Sequence, residues 1–452
     1  MLIFYKKLNN ILKFSSYSSI ILTVGLFNSY KIRRVFVELS SLKGGTKMER
    51  VTLEDVKEAR GIIEDAILKT DILENVRLSE KTGAQVFYKC ENLQRTGSFK
   101  IRGACNKIAH LTDQEKACGV IASSAGNHAQ GVALGAKNAG IKATICMPAN
   151  APISKVAATK SYGAEVVLHG TVYDDAYAKA VEIQAQTGAT FLHPFDDKYV
   201  IAGQGTIGLE IYEQLDGNVD TVLVPIGGGG IIAGIATALK ELNPNIKVIG
   251  VQTCNIPSMK KSYENGKITS AFNDITIADG IAVKTPGSLT FDIISRLVDD
   301  VITVTEEEIA EAILFMMENQ KLVSEGAGAV STAALLSEKY KPLAGERVVC
   351  VVSGGNVDIN TLYRIMSVAL KRQGRRISIV AELPDVPGAL ATLVSIIAKK
   401  GGNVLTINQD KLATGKYIKK QTVEVTIETV DFDQINAMKS AFVENGIKVE
   451  FL

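Results

Sequence analysis

Thr221-Val-Leu-Val-Pro225 is a short apolar run; one residue later come Gly227-Gly-Gly-Gly230, followed directly by an apolar helical stretch from Ile231 to Leu242. No other feature constrains the fold as much. A strand, a glycine turn and a helix in this order form half of a strand–helix–strand crossover, the unit from which parallel sheets are built. Four residues without Cβ at a helix start let main-chain N–H groups converge, and the helix dipole adds to their positive potential, so the turn can hold an anion. A tight turn without a ligand would use glycines as well, so the run by itself decides only the fold. A dinucleotide would want Gly-x-Gly-x-x-Gly and an acid about 20 residues further on. Glu241 falls too early, near the end of the helix, and four consecutive glycines suit one phosphate better than a pyrophosphate.

The same order recurs along the chain. Thr52 with Asp55 reads as a helix cap, followed by Val56, Ala59, Ile62, Ile63 and Ile67 on one face. Gln85 to Cys90 alternates as a strand and precedes Thr96-Gly-Ser-Phe-Lys100-Ile-Arg-Gly-Ala104, with a helix from Ile101 to Leu111. Gly119 to Ser123 is a strand running into Ser123-Ser-Ala-Gly-Asn-His-Ala-Gln130, and the next helix, Ala129 to Ala139, stops at Gly140. Ile141 to Met147, Val166 to Leu168, Lys247 to Val251 and Val348 to Val352 are further buried-strand candidates, with a helix over Glu306 to Asn319. The alternation predicts an α/β fold with parallel sheets and helices on both faces.

With 452 residues there is room for two or three domains. Lys plus Arg is 50 against Asp plus Glu 48, which gives nucleic acid no electrostatic footing. Cys90, Cys105, Cys118, Cys146, Cys254 and Cys350 form no Cys-x-x-Cys pair, and the chain has only four histidines. Neither a disulfide framework nor a metal site has the necessary spacing, and a reducing cytoplasm follows. Residues 1–47 are basic, with Glu38 as their only acid, and read as a leader outside the fold; their apolar run, Ser18 to Phe27, is shorter than the roughly 20 residues that span a bilayer. The catalytic body is expected over 48–370, a basic hinge over 371–375 around Gly374, and a separate module over 376–452. That module reads β-α-β-β-α-β: Ile377 to Leu383, Ala389 to Lys400, Val404 to Gln409, Gln421 to Ile427, Asp431 to Asn445 and Ile447 to Leu452.

Lys100, flanked by small residues and Phe99, suits a buried amine. Burial lowers a lysine pKa, and the neutral amine can form a Schiff base and move protons. A solvated surface lysine is the plain alternative. Against it stand the Thr96–Ala104, Ser123–Gln130 and Gly227–Ala233 stretches together with Ser353-Gly-Gly-Asn356. In this order and at these intervals they resemble the lysine, asparagine loop, phosphate loop and pyridine-nitrogen serine of the fold-type II pyridoxal-phosphate enzymes, and among those the threonine ammonia-lyases.

The resemblance covers about Thr52 to Ala369 and implies a two-lobed fold like that of tryptophan synthase β. It implies pyridoxal 5'-phosphate on Lys100, Asn127 on the ring hydroxyl, the phosphate on Gly227, Gly228, Gly229, Gly230 and Ile231, and Ser353 on the pyridine nitrogen. Ser124, Ala125, Asn127 and His128 would receive the substrate carboxylate. The freed Lys100 amine would remove the α-proton, and the cofactor phosphate would protonate the leaving hydroxyl. A serine cannot hold the pyridine nitrogen protonated as an aspartate would, so the ring is a weaker electron sink and β-elimination is favoured over transamination. Threonine would give 2-oxobutanoate and ammonia, and serine pyruvate. The family further implies a homo-oligomer, dimer or tetramer.

The tail resembles an ACT domain, a small α+β module of ferredoxin-like order that senses amino acids. That implies an effector site at Asp385, Gly388, Ala389 and Leu390, with a branched-chain amino acid as its ligand. Serine ammonia-lyase and serine racemase are the nearest alternatives. Racemases of this family carry a serine where Ala125 stands and metal-binding carboxylates where Gln252 and Ser258 stand, and neither replacement keeps the chemistry. An amino-acid sensor without catalysis is the alternative of another class, and an intact Lys100 argues against it.

Overall fold

The computed structural model describes residues 50–272, 274–410 and 419–452. The leader expected over residues 1–47 lies outside them. Strands β1 (Ile72–Glu74) and β2 (Gln85–Lys89) open a large sheet, and β3 (Val120–Ser123), β4 (Ala143–Met147), β5 (Glu165–Leu168) and β6 (Thr190–Phe191) form a smaller one. The chain then returns to the large sheet with β7 (Thr221–Pro225), β8 (Lys247–Thr253), β9 (Asp300–Val304) and β10 (Arg347–Val351). Strands β11 (Arg376–Pro384), β12 (Asn403–Asp410), β13 (Lys420–Glu428) and β14 (Lys448–Phe451) make the sheet of the tail.

The large sheet runs β1-β2-β10-β7-β8-β9, parallel except for the short edge strand β1. The small sheet runs β5-β4-β3-β6, all parallel. Two lobes follow, as the resemblance implies. The helix expected after Thr52 is Leu53–Ile63, and Thr52 and Asp55 close a reciprocal cap on it. Val56, Ala59 and Ile63 of its apolar face are buried, while Ile62 points to solvent. Two helices begin earlier than their periodicity suggests, one at Lys100 and one at Asn127.

The helix Lys198–Gln214 is the spine between the lobes, and nothing in its pattern announces it. Its residues from Val200 to Ile211 are buried on every side, so it carries no amphipathic stripe. Asp197 caps it, accepting from the N–H groups of Tyr199 and Val200. Gly203 lets it approach the helix Lys100–Ala109 so closely that a Cβ there would lie 2.6 Å from the Arg102 carbonyl oxygen. The bond from Arg102 to Glu210 crosses the same contact. The spine also packs along Gly230–Leu242, so one helix sets the distance between two of the predicted site loops.

The tail sheet runs β12-β13-β11-β14 with every pair antiparallel, the ferredoxin-like arrangement. Val423, Val425 and Ile427 are buried on one face of β13 while Glu424 and Glu428 are exposed. This is the alternation expected of a half-covered strand. The basic run before it divides between the end of the helix Ile359–Arg372 and the start of β11. Arg372 pairs with Glu311 and Arg375 with Glu318, both on the helix Glu306–Gln320 of the body.

Candidate active site

Four loops meet at the C-terminal ends of parallel strands, where open α/β sheets place their ligands. The Lys100 loop follows β2, the Ser353 loop β10, the glycine loop β7 and the Asn127 loop β3. Because β2 and β10 are parallel neighbours, their loops lie side by side and are stapled together. Phe99 N–H donates to the Ser353 carbonyl at 3.1 Å, Gly355 N–H to the Gly97 carbonyl at 2.9 Å, and Asn356 Nδ2 to the Thr96 carbonyl at 2.7 Å. Motifs some 250 residues apart thus form one surface. Ser353 is itself buried at this junction.

Lys100 opens its helix, and its Nζ donates to the Pro194 carbonyl at 3.0 Å. The residue is partly accessible, but its amine lies deep enough that burial draws the pKa down to about 8, against the opposing pull of Glu325. The amine can therefore be neutral under mild conditions, as attack on an aldehyde requires.

The loop from Leu192 to Asp197, which the sequence marks only by His193, holds this corner together. His193 Nδ1 accepts from Asp196 N–H at 2.8 Å, and burial keeps its pKa low. Asp196 in turn accepts from the N–H groups of Ser288, Leu289 and Thr290 and so caps the helix Ser288–Leu297. The Phe195 ring lies against Gly228, where a Cβ would meet it at 2.3 Å.

Asn127 is the first residue of the helix Asn127–Ala139. Ser124 N–H is already given to the Cys146 carbonyl, and its Oγ accepts from Gly126 N–H. The His128 side chain is engaged in the fold. Its Nε2 bonds the Leu192 carbonyl at 2.9 Å, and burial lowers its pKa to about 3. What His128 has to offer a carboxylate is its main-chain N–H, which with those of Asn127 and Ala129 belongs to a first turn without intrahelical partners. Ala125 lies in the same loop, partly buried.

Gly229, in the left-handed region at φ 96°, turns the chain into the helix Gly230–Leu242. Gly227 to Ile231 are all buried, and Thr290 Oγ1 fixes the loop by donating to the Gly228 carbonyl. Beside Gly230 sits Gln204, whose side-chain O and N are both buried without a partner; Ser98 Oγ, in the Lys100 loop, is another such orphan. A low-pKa amine, a buried N–H nest and orphaned polar atoms around them fit a group that carries an aldehyde, a phosphate and ring heteroatoms. Pyridoxal phosphate is such a group.

Glu325 is the residue that reading the sequence missed. It precedes the helix Gly326–Leu336, is 4% exposed, and its Oε1 accepts from Asn127 Nδ2 at 2.7 Å. Burial and the nearby Asp279 charge push its carboxyl up to about 7. Across the cleft, Lys155 of the small lobe pairs with Asp279 at 2.8 Å. Burial alone would lower the Lys155 pKa, but that carboxylate outweighs it and holds it up. These groups, with Asn356, Asp358 and Arg364, line a cavity of about 600 Å³ beside Asn127.

Gln252 and Ser258, standing where racemases place metal ligands, are engaged in the fold. Gln252 Oε1 accepts from Met259 and Lys260 N–H, capping the helix Ser258–Asn265, and Ser258 Oγ donates to the Val283 carbonyl. In the tail, Gly388 at φ 89° leads into the helix Ala389–Lys399. Asp385 N–H is bonded to the Lys419 carbonyl, and Ala389 and Leu390 pack partly into the module's core.

Residues 63–354 match the family model described as pyridoxal-phosphate dependent enzyme. The L-threonine ammonia-lyase of Thermotoga maritima is 48% identical over 402 residues, covering 89% of this chain and 100% of that protein. Among solved structures, the processed form of threonine deaminase isoform 2 from Solanum lycopersicum is 36% identical, with a TM-score of 0.67, over 72% of this chain and 92% of that one. Maize serine racemase is 37% identical, with a TM-score of 0.67, over 72% of this chain and 99% of that one. With a family model along most of the body and a relative of this identity along most of the chain, the protein belongs to the pyridoxal-phosphate-dependent enzymes and, within them, to the L-threonine ammonia-lyases.

Proposed function

We propose that the chain converts L-threonine to 2-oxobutanoate and ammonia, and that L-serine is a second substrate giving pyruvate. The observation that carries this reading is the Lys100 amine, set among four loops and drawn down to a pKa of about 8. When bound, pyridoxal phosphate supplies an electron sink for the pair left on Cα. Lys100 removes the α-proton once its amine is free. The N–H groups opening the helix Asn127–Ala139 hold the substrate carboxylate. Those of Gly227 to Ile231 hold the cofactor phosphate, Asn127 its ring oxygen, and the Ser353 hydroxyl its pyridine nitrogen. Loss of the β-hydroxyl as water yields an enamine, which tautomerises and hydrolyses to the 2-oxoacid and ammonia.

Racemisation is the second reading, because a racemase is as similar in fold. Ala125 speaks against it, having no proton to return to the face opposite Lys100. The tail supports regulation by a branched-chain amino acid, isoleucine first, and the working unit is a homo-oligomer. Six unpaired cysteines, four of them buried, suit a reducing cytoplasm, and no helix among the described residues is long and apolar enough to cross a membrane.

The test is release of 2-oxoacid from L-threonine and L-serine by the full chain and by Lys100→Ala. Turnover by the wild type, with none by the variant and no lysine-linked absorbance, is expected. A variant that keeps a large fraction of ammonia release overturns the reading.

A further inference from the structure

The side-chain amide of Asn127 is held at both ends. Its Oδ1 accepts from Asn356 Nδ2 at 2.8 Å, and its Nδ2 donates to Glu325 Oε1 at 2.7 Å. Asn356 spends its other N–H on the Thr96 carbonyl at 2.7 Å. That carbonyl decides the polarity of the whole chain of bonds. It can only accept, so Asn356 must present nitrogen, Asn127 must answer with oxygen, and the Asn127 nitrogen is turned toward Glu325. Ionised or protonated, the Glu325 carboxyl keeps a lone pair on Oε1 for this bond.

Neither partner can swing away. The Glu325 main chain is anchored, donating to the Gly354 carbonyl at 3.1 Å and accepting from Gly328 N–H at 3.0 Å. Both side chains fill space that only glycine leaves open: a Cβ at Gly354 would lie 2.5 Å from Glu325 Oε1, and one at Gly97 would lie 2.3 Å from Asn356 Oδ1. An Asn127 amide free to flip could present either oxygen or nitrogen to a ligand. Held this way it can present only nitrogen, with one N–H still uncommitted.

We propose that Glu325 and Asn356 are positioning residues that lock the Asn127 amide so that its one remaining N–H faces the cofactor's ring oxygen, an inference that rests on the pyridoxal-phosphate reading above. Asn356 closes the Ser353-Gly-Gly-Asn356 motif, and Glu325 immediately precedes a separate helix, Gly326–Leu336, so the clamp joins elements that no single motif contains.

The experiment measures the cofactor dissociation constant and the absorption spectrum of the bound cofactor in the full-length chain. Asn127→Ala, Glu325→Leu and Asn356→Ala are each expected to weaken cofactor binding about three- to tenfold, the range of one lost hydrogen bond. They should also shift the balance of the bound cofactor's absorbing forms in the same direction. Glu325→Gln keeps an acceptor oxygen and is expected to stay within about twofold of wild type. The deciding comparison is the double variant, since a residue acting only through Asn127 has no further effect once that amide is gone.

Asn127→Ala combined with Glu325→Leu should bind no more weakly than Asn127→Ala alone. An additive loss, a Glu325→Leu chain with wild-type affinity and spectrum, or a Gln variant as weak as Leu overturns the clamp while leaving the function standing. If Glu325→Leu does not fold, Asn356→Ala alone and in the Asn127→Ala background tests the clamp by the same comparison. A wild-type chain that forms no lysine-linked chromophore overturns the function, and the clamp with it.

Discussion

Arg102 and Glu210 face each other through two parallel hydrogen bonds, Nη1 to Oε1 at 2.6 Å and Nη2 to Oε2 at 2.9 Å, in the interior between two helices. Arg102 lies two residues after Lys100 on the same helix, and Glu210 lies on the spine. Glu91 takes the other side of the guanidinium at 2.7 Å, and Lys89 takes Glu210 at 2.6 Å. Two cations and two carboxylates form a neutral, buried set that anchors the helix beginning at Lys100. Burial alone would raise the Glu91 pKa, but the Arg102 guanidinium outweighs it and holds the carboxylate ionised.

Removing Arg102 leaves the two carboxylates with one cation between them. Breaking a buried pair in this way costs about 3–5 kcal/mol, because the remaining charge stays desolvated. Arg102→Leu is therefore expected to lower the unfolding free energy measured in urea by that amount and to weaken cofactor retention. A loss below about 1 kcal/mol would show that water reaches the set, contrary to its burial.

Gly203 offers a second test of the same contact. A Cβ there would sit 2.6 Å from the Arg102 carbonyl oxygen, so Gly203→Ala must push two helices apart. An overpacked contact of this kind costs about 1–3 kcal/mol. Gly61, in the helix Leu53–Ile63, has nothing within 4 Å of the same position. Gly61→Ala should instead stabilise by about 0.5–1 kcal/mol through helix propensity and unfolded-state entropy. Equal effects from the two substitutions would rule out the close approach as their cause.

Much of this site can be read from the chain alone, for a physical reason. Asn127, Gly227 and Ser353 each lie just past an apolar run whose length and composition suit a buried strand, and Lys100 lies in the loop that follows the alternating strand Gln85 to Cys90, so the strand grammar leads to them. Glu325 has no such signal. It stands 198 residues from Asn127, and an acid at the start of an all-apolar helix reads as a cap. The spine is illegible for the opposite reason, since a helix buried all round shows no period. β1, β6 and β9 are also missed: the first two are very short, and in β9 Asp300 and Thr303 interrupt the apolar run.

The lowered Lys100 pKa has a definite pH consequence for the cofactor-free chain. Only the neutral amine attacks an aldehyde, and the neutral fraction grows as pH rises through the pKa. The rate at which the chain takes up pyridoxal phosphate should rise with pH and level off above about 8, where an ordinary lysine would climb to about 10.4. Stopped-flow absorbance over about pH 6 to 10 measures it. A rate still climbing at the top of that range means the amine is not desolvated.

The tail makes the last prediction. Gly388 opens the helix Ala389–Lys399; Ala389 N–H donates to the Val386 carbonyl at 3.3 Å, the next N–H groups of the first turn lack intrahelical partners, and nothing lies within 4 Å of where a Gly388 Cβ would point. A small amino acid could set its carboxylate there. On the edge strand β12, Leu405 and Ile407 are 41% and 38% exposed, an apolar edge suited to a second tail. An effector shifts an equilibrium only by its differential affinity for two arrangements, so binding must favour one pairing of tails over another. The route to the body is short, because Arg372 and Arg375 tie the junction to Glu311 and Glu318 on one helix. Isoleucine is expected to bind the full chain and inhibit it, with valine opposing it or inert. A chain ending before Arg376 is expected to keep threonine turnover and lose the response. Calorimetry with isoleucine, valine and threonine, alongside activity over the same concentrations, decides the matter. No heat from any of the three on the full chain, together with flat activity, would leave the tail a structural module.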